Sequence, residues 1–362
     1  MFKDKRIQFF FTLLIAFTGG IIFHKLNTPI PWLLGPMTAV FIGSRFGKVQ
    51  FYWPSWIRNI GLVIVGYSIG VSFTKKALVQ IVAELPSMIL MTLLLVLFCA
   101  GIAVVVSKLT GVDYPTVLTG SIPGGLTQML TFAEEMKGID VTTVTFLQVA
   151  RLMMIIFCVP FLIFGPLFHN ENKLTTGMIH SEVAVTDPLF PKILLFAVIC
   201  VVFAFLTKKL RFPTPFMLGP ILGTAAVNVS GFAGPALPSA LLDLSQFMIG
   251  GYIGLLLKPE KLEHKVRIIS LAFISGITMI IGSLGLSLLI MHFGHISPST
   301  SFLSIAPGGM DQMGILAHEI NADLSMVTGY QLFRLFFIYF AVPPMLKWFF
   351  TKQGDRHHKK TN

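Results

Sequence analysis

Two glutamine–arginine pairs sit in sequence that is otherwise almost free of charge: Gln148 with Arg151, and Gln331 with Arg334. Three residues apart on a helix, each pair projects from one face. An arginine ten residues into a helix lies about 15 Å from its start, close to the centre of a bilayer. There it must face protein or water. It can cap freed backbone carbonyls, or its planar fork can hold a carboxylate or phosphate; both uses stay open. Upstream of each pair stands a helix-breaking signal, Pro123-Gly124-Gly125 with Gln128 following, and Pro307-Gly308-Gly309 with Gln312 following. Proline removes a backbone donor and glycine loosens the chain. In hydrocarbon such a break survives only inside protein or against a watery cavity. Both breaks are therefore candidate substrate or ion sites, the alternative being close helix packing. Asp311, whose counterpart is Thr127, is the carboxylate within these motifs. It reads as a proton carrier or cation ligand, or else as a cap for the half-helix after Gly309. Glu135 and Glu319 are expected to mark where each half-helix ends.

Other chemistry finds little support. Cys99, Cys158 and Cys200 are scattered through apolar runs and read as small buried hydrophobes, and His292 and His295 have no cysteine or carboxylate beside them to complete a metal site. The sequence has no nucleophile elbow, P-loop, dinucleotide fingerprint or zincin motif. The expectation is a non-enzyme with no cofactor and no metal.

What must position these residues is a membrane-embedded helical scaffold. The chain is 54% hydrophobic and 12% charged, about half the charged share of an average soluble domain. It also repeats itself. Pro31, Gly35 and Pro36 recur as Pro215, Gly219 and Pro220, displaced by 184 residues, as do Pro123-Gly124-Gly125 and Gln128. Gln148, Arg151 and Pro160 recur displaced by 183. An ordered series of this length implies a tandem duplication, and in a membrane chain two pseudo-symmetric halves. The expected organisation is a membrane repeat over residues 1–169, a polar linker over 170–188, a second repeat over 189–350 and a basic tail over 351–362. The first apolar segment follows Lys3, Lys5 and Arg6 without a small-residue cleavage site, so it is expected to be retained. Tyr52, Trp53 and Trp56 read as an interfacial aromatic belt.

The net charge of +11 does not point to nucleic acid, because the basic residues sit in the short connections between apolar runs. They orient the halves. Five net crossings per half, with the Pro-Gly-Gly segment dipping in without adding one, put twenty basic residues on the cytoplasmic side. Five then lie outside (Lys25, Lys75, Lys76, Lys173, Lys192). Parallel halves leave scarcely any bias, so the positive-inside rule favours an inverted repeat with both termini cytoplasmic. The expected fold is thus all-α and polytopic, with about five transmembrane helices per repeat, in a bacterial-type plasma membrane. Its partners are the lipid bilayer and a small-molecule solute, and a homo-oligomer is compatible with it.

The paired P-x-x-L-G-P and P-G-G motifs resemble those of the AbrB-type duplicated membrane domain family, from about Phe9 to Pro344. Members are commonly labelled regulators of gene expression or ammonia monooxygenases. They share only a name with the small DNA-binding AbrB regulators. The residues themselves favour a secondary transporter of a small, anionic solute. The family label implies the alternative, a membrane-embedded regulator of gene expression acting through a partner; a monooxygenase would need metal ligands that the motifs do not supply.

Overall fold

The computed structural model describes residues 4–46, 50–136, 138–166, 168, 189–256, 265–294 and 296–347. The polar linker after Phe168 and the basic tail lie outside the described residues, as does His295. Among the described residues every regular element is an α-helix. In chain order these are α1 (Lys5–Lys25), α2 (Pro31–Phe46), α3 (Ser55–Ser72), α4 (Lys75–Ala83), α5 (Leu85–Thr110), α6 (Tyr114–Ser121), α7 (Leu126–Glu135) and α8 (Val141–Ile163). Then come α9 (Leu189–Lys209), α10 (Pro215–Val229), α11 (Ser239–Gly254), α12 (Lys265–Gly294), α13 (Pro298–Ile305), α14 (Met310–Glu319) and α15 (Leu324–Phe340).

By length and composition α1, α5, α8 and Ala272–His292 of α12 can cross a membrane, and α3 with α4, bent by 86°, makes a fifth candidate. Apart from α9, which also has 21 residues, the other helices are shorter. Sixteen residues, as in α2 and α11, reach only about 24 Å of the roughly 30 Å of hydrocarbon. The surface is apolar where a soluble protein is polar. Phe10, Leu14 and Phe17 of α1, Leu97 and Val105 of α5, Val202 and Phe205 of α9, and Phe273, Ile281 and Leu288 of α12 all point outward. The interior instead holds Thr12, Gln148, Arg151, Gln246, Ser283, Gln312, Gln331 and Arg334. Polar side chains held within an otherwise apolar core, beneath an apolar outside, suit a lipid environment.

Small residues let the helices approach. A Cβ on Gly35 would lie 2.5 Å from the Gly19 carbonyl oxygen, and one on Gly219 would lie 2.5 Å from that of Phe203. These contacts close the α1–α2 and α9–α10 hairpins and account for the glycine in each P-x-x-L-G-P motif. The connections are tight enough to force unusual backbone. Asn27 and Ile30 before α2, and Arg211 and Thr214 before α10, all have positive φ, which is strained for the β-branched Ile30 and Thr214.

The hairpins pack on helices from the far half of the sequence. On α11, Gly250 meets Leu33 O at 2.5 Å and Gly254 meets Met37 O at 2.6 Å; on α3, Gly66 meets Met217 O at 2.6 Å and Gly70 meets the Thr224 Cβ at 2.6 Å. So α2 runs parallel to α11, and α3 to α10. Between α3 and α11 the order reverses. Gly61 touches Ser245 and Ile249, while Ser68 and Ile69 share a crevice with Leu242 and Gln246. The remaining helices form a second group in which α12 packs against α5, α8 and α13, and α15 against α13 and α14.

Trp53 departs from the aromatic-belt expectation. It is buried, donates its indole N–H to Met248 O at 3.1 Å and packs edge-on to Phe247. A partner for the N–H is what allows an indole into the core. Trp56 is exposed. Cys99 and Cys200 are buried and Cys158 half-buried, all three free.

Candidate functional site

Each Pro-Gly-Gly motif interrupts a helix. α6 stops at Ser121 and α7 starts at Leu126; α13 stops at Ile305 and α14 starts at Met310. Ile122 and Ala306 leave the helix in extended or near-extended backbone, and Gly125 and Gly309 occupy the N-cap positions without a side-chain cap bond. α7 ends at Glu135 and α14 at Glu319.

The carbonyls freed by the first break are met from α8. Gln148 Nε2 donates to Thr119 O at 2.9 Å and Ile122 O at 3.0 Å, and Arg151 Nη1 donates to Ser121 O at 2.9 Å and Gly120 O at 3.4 Å. The Gln148 Oε1 then accepts from Arg151 Nη2 at 2.6 Å, locking the pair together. At the second break Gln331 Nε2 reaches Leu303, Ser304 and Ala306 carbonyls. Arg334 donates to Ile305 and Ala306 at 2.9 Å and to Gly308 at 3.0 Å, and also to Gln331 Oε1. All four side chains are at least nine-tenths buried. Buried carbonyls without donors are costly, and charged donors satisfy them best. Of the two uses open in the sequence, carbonyl capping is the one the geometry displays. Arg151 Nε keeps no partner, and among the described residues neither guanidinium meets a carboxylate.

The two breaks lie back to back across the halves. A Cβ on Gly124 would be 3.0 Å from Ile338 Cγ2 of α15, and one on Gly308 would be 3.0 Å from Ile155 Cγ2 of α8. Entry and exit of each broken segment are also tied together. Asp140 N donates to Thr116 Oγ1 at 3.1 Å, and Asp323 N to Thr300 Oγ1 at 3.2 Å. Asp140 and Asp323 then cap α8 and α15.

The glutamines of the two motifs diverge. Gln128 Nε2 donates to Ile338 O at 3.3 Å and Tyr339 O at 2.9 Å. Pro343 has no N–H for the Tyr339 carbonyl four residues back, so Gln128 supplies the missing donor. Gln312 turns instead to its neighbour, donating to Asp311 Oδ2 at 2.8 Å and leaving its own buried Oε1 without a partner. Gly309 holds the N-cap of α14, so Asp311 sits within the first turn, where its charge complements the helix end. The cation acting on Asp311 is Arg58 of α3, which stacks over the Tyr252 ring at 4.9 Å. Arg334 is committed to carbonyls, and nothing local in the sequence links Arg58 to Asp311.

Pro31, Gly35 and Pro36, with Pro215, Gly219 and Pro220, stand apart from this centre and serve the hairpin packing described above. Among the described residues no cluster of three or more His, Cys, Asp or Glu could hold a metal.

Comparison with known proteins matches the chain to the family described as transition state regulatory protein AbrB, over residues 3–118 and 32–350. YhjN of Bacillus subtilis (strain 168) is 24% identical over 371 residues, covering 96% of this chain and 94% of that protein. A protein of Escherichia coli (strain K12), AbrB, which carries the name of a regulator, is 25% identical over 334 residues, covering 92% and 94%.

Proposed function

The chain belongs to the AbrB family, in its long, apolar, helical form and not that of the small DNA-binding regulators, and we propose that it is a secondary transporter of a small anionic solute. The observation that carries this reading is the pair of broken helices set back to back, each fixed by a buried Gln–Arg clamp. Helix breaks at membrane depth are tolerated where they are buried in protein or line a cavity, and in inverted-repeat transporters such half-helix ends meet the substrate.

Several independent features support an inverted repeat of five crossings per half. Element boundaries recur at a displacement of 184: α1 on α9, α6 on α13 and α7 on α14. Positive φ recurs likewise, at Asn27 and Arg211 and at Ile30 and Thr214. α3 and α11, equivalent at that displacement, run antiparallel. The Thr116–Asp140 and Thr300–Asp323 bonds favour broken segments that enter and leave on one side. The charge bias of the connections then puts both termini in the cytoplasm of a bacterial-type cell.

The anion preference follows from charge. The positive N-terminal ends of α7 and α14 and two guanidiniums converge on the crossing, and Asp311 with Arg58 forms an opposed pair at one break only. In the other half the equivalent positions are Thr127 and Leu242. That asymmetry suits Asp311 to exchange a proton as the cavity alternates. The test is a thermal-shift screen of the detergent-purified protein against small carboxylates, phosphate, amino acids and amines. A ligand at a hundred times its Kd stabilises by about 2.7 kcal/mol. Anions are expected to do this and amines not; stabilisation by amines alone, or no flux of any binding anion into proteoliposomes, would overturn the reading.

A further inference from the structure

Away from the crossing of the broken helices, one crevice opens between α3, α11 and α14. Its walls are Val65, Ile69, Leu242, Gly314 and Ile315, and its polar groups are Ser68, Gln246, His318 and Glu319. Gln246 is 3% exposed, yet its Oε1 has no hydrogen-bond partner. A buried amide oxygen left unmet is costly, so an occupant that meets it is favoured. The first-half counterpart of Gln246 is Leu62, so the feature belongs to one side of the molecule only.

The occupant's chemistry follows from size and charge. The crevice has room for about one particle of water's size, too little for an organic solute. Its acceptors are a hydroxyl, an amide carbonyl and a carboxylate, all hard oxygens. Two carboxylates act on one another here, Glu319 and Asp243, with His318 beside Glu319 and His24 beside Asp243. The Glu319 carboxylate lining the crevice gives it negative charge, which a cation relieves and an anion worsens. A divalent ion asks for six to eight oxygens or several carboxylates; one lining carboxylate matches a single positive charge.

We propose that this crevice is a binding site for a monovalent alkali cation, sodium being the ion tested, held by Gln246 Oε1, Ser68 Oγ and the Glu319 carboxylate. α3 and α11 belong to the hairpin-bearing group and α14 to the broken-helix group, so the ion bridges parts that alternating access would move apart. The coupling of ion to solute rests on the transport reading; binding of the ion does not.

The experiment is a chloride-salt titration of the detergent-purified full chain, followed by thermal shift and isothermal calorimetry, with N-methylglucamine as the inert cation. Saturable stabilisation by sodium is expected. Loss of one charge-assisted oxygen contact weakens binding by about tenfold or more, so Gln246→Leu and Glu319→Gln should each do so, while Arg151→Gln should not. Glu319 is solvent-exposed, so Glu319→Gln stays informative if Gln246→Leu misfolds. A crevice holding only water would give no difference between sodium and N-methylglucamine, and that result overturns the proposal, as does a sodium effect unchanged in both variants. Sodium binding lost in these variants, with no solute flux under any condition, would uphold the site while removing the transport reading.

Discussion

Replacing Arg334 with methionine takes three charged donors from backbone carbonyls: Ile305 O and Ala306 O at 2.9 Å and Gly308 O at 3.0 Å. Each such bond contributes about 1.5–3 kcal/mol, a gross loss of roughly 5–9 kcal/mol. The variant also no longer buries a charge, which returns several kcal/mol. The net cost should be about 3 kcal/mol, concentrated at the break. Arg151→Met loses only two carbonyl contacts, one of them long at 3.4 Å, and should cost about 1–2 kcal/mol. Gln331→Leu loses an amide NH2 shared among three carbonyls and the oxygen that accepts from Arg334 and should fall near the Arg334 variant at about 3 kcal/mol. The assay is amide hydrogen exchange followed by mass spectrometry, because a clamp holds its own segment closed. About 3 kcal/mol corresponds to roughly a hundredfold faster exchange in peptides spanning 303–310. Arg334→Lys, with its charge but no fork, should be intermediate. Unchanged protection in Arg334→Met together with lost solute binding would refute the reasoning, since the fork would then serve a ligand and not the backbone.

Cysteines placed at Lys25 and Lys209, the last residues of α1 and α9, should react with an impermeant maleimide from opposite faces of the membrane once the three native cysteines are replaced. Labelling of both from one face would end the inverted topology. Asp311→Asn should accumulate normally and lose proton-dependent uptake in a pH-jump assay, with Thr127→Val far milder; poor accumulation with full activity per molecule would make Asp311 a structural residue only. Gly250→Val must displace the Leu33 carbonyl, 2.5 Å from its added Cβ, and should prevent recovery of folded protein by fluorescence-detected chromatography. Gly101→Ala, with nothing within 4 Å of the new atom, should be neutral or stabilise by up to about 1 kcal/mol.

The helix breaks are legible in the sequence because their cause is covalent: a residue without a donor beside residues without a Cβ. The place of Arg151 and Arg334, ten residues along α8 and α15, is legible for the same kind of reason, since helical geometry is fixed. What is not legible depends on which segments meet. Nothing near Trp53 announces that Met248 O will take its N–H, so the residue reads as interfacial. Nothing near Gln128 announces that Pro343, more than two hundred residues away, frees the carbonyl it serves. The same holds for Arg58 and Asp311, and for Gln246, an unremarkable glutamine until α3 and α14 close around it. Pairwise chemistry between distant segments leaves no periodicity to read.

The exchange of helices between the halves has a consequence for biosynthesis. Gly66 and Gly70 of α3 are shaped for Met217 and Thr224 of α10, residues translated about 150 positions later. At roughly 5–20 residues per second, α3 waits about 8–30 s beside the insertion machinery before its partner emerges. During that wait the first half is a set of inserted but unpaired helices, exposing a glycine groove to lipid or to whatever shields it. The first half alone should therefore be a substrate for membrane proteolysis and not an independent domain. A stop introduced after residue 169 would leave a fragment whose survival depends on supplying residues 189–350 in trans.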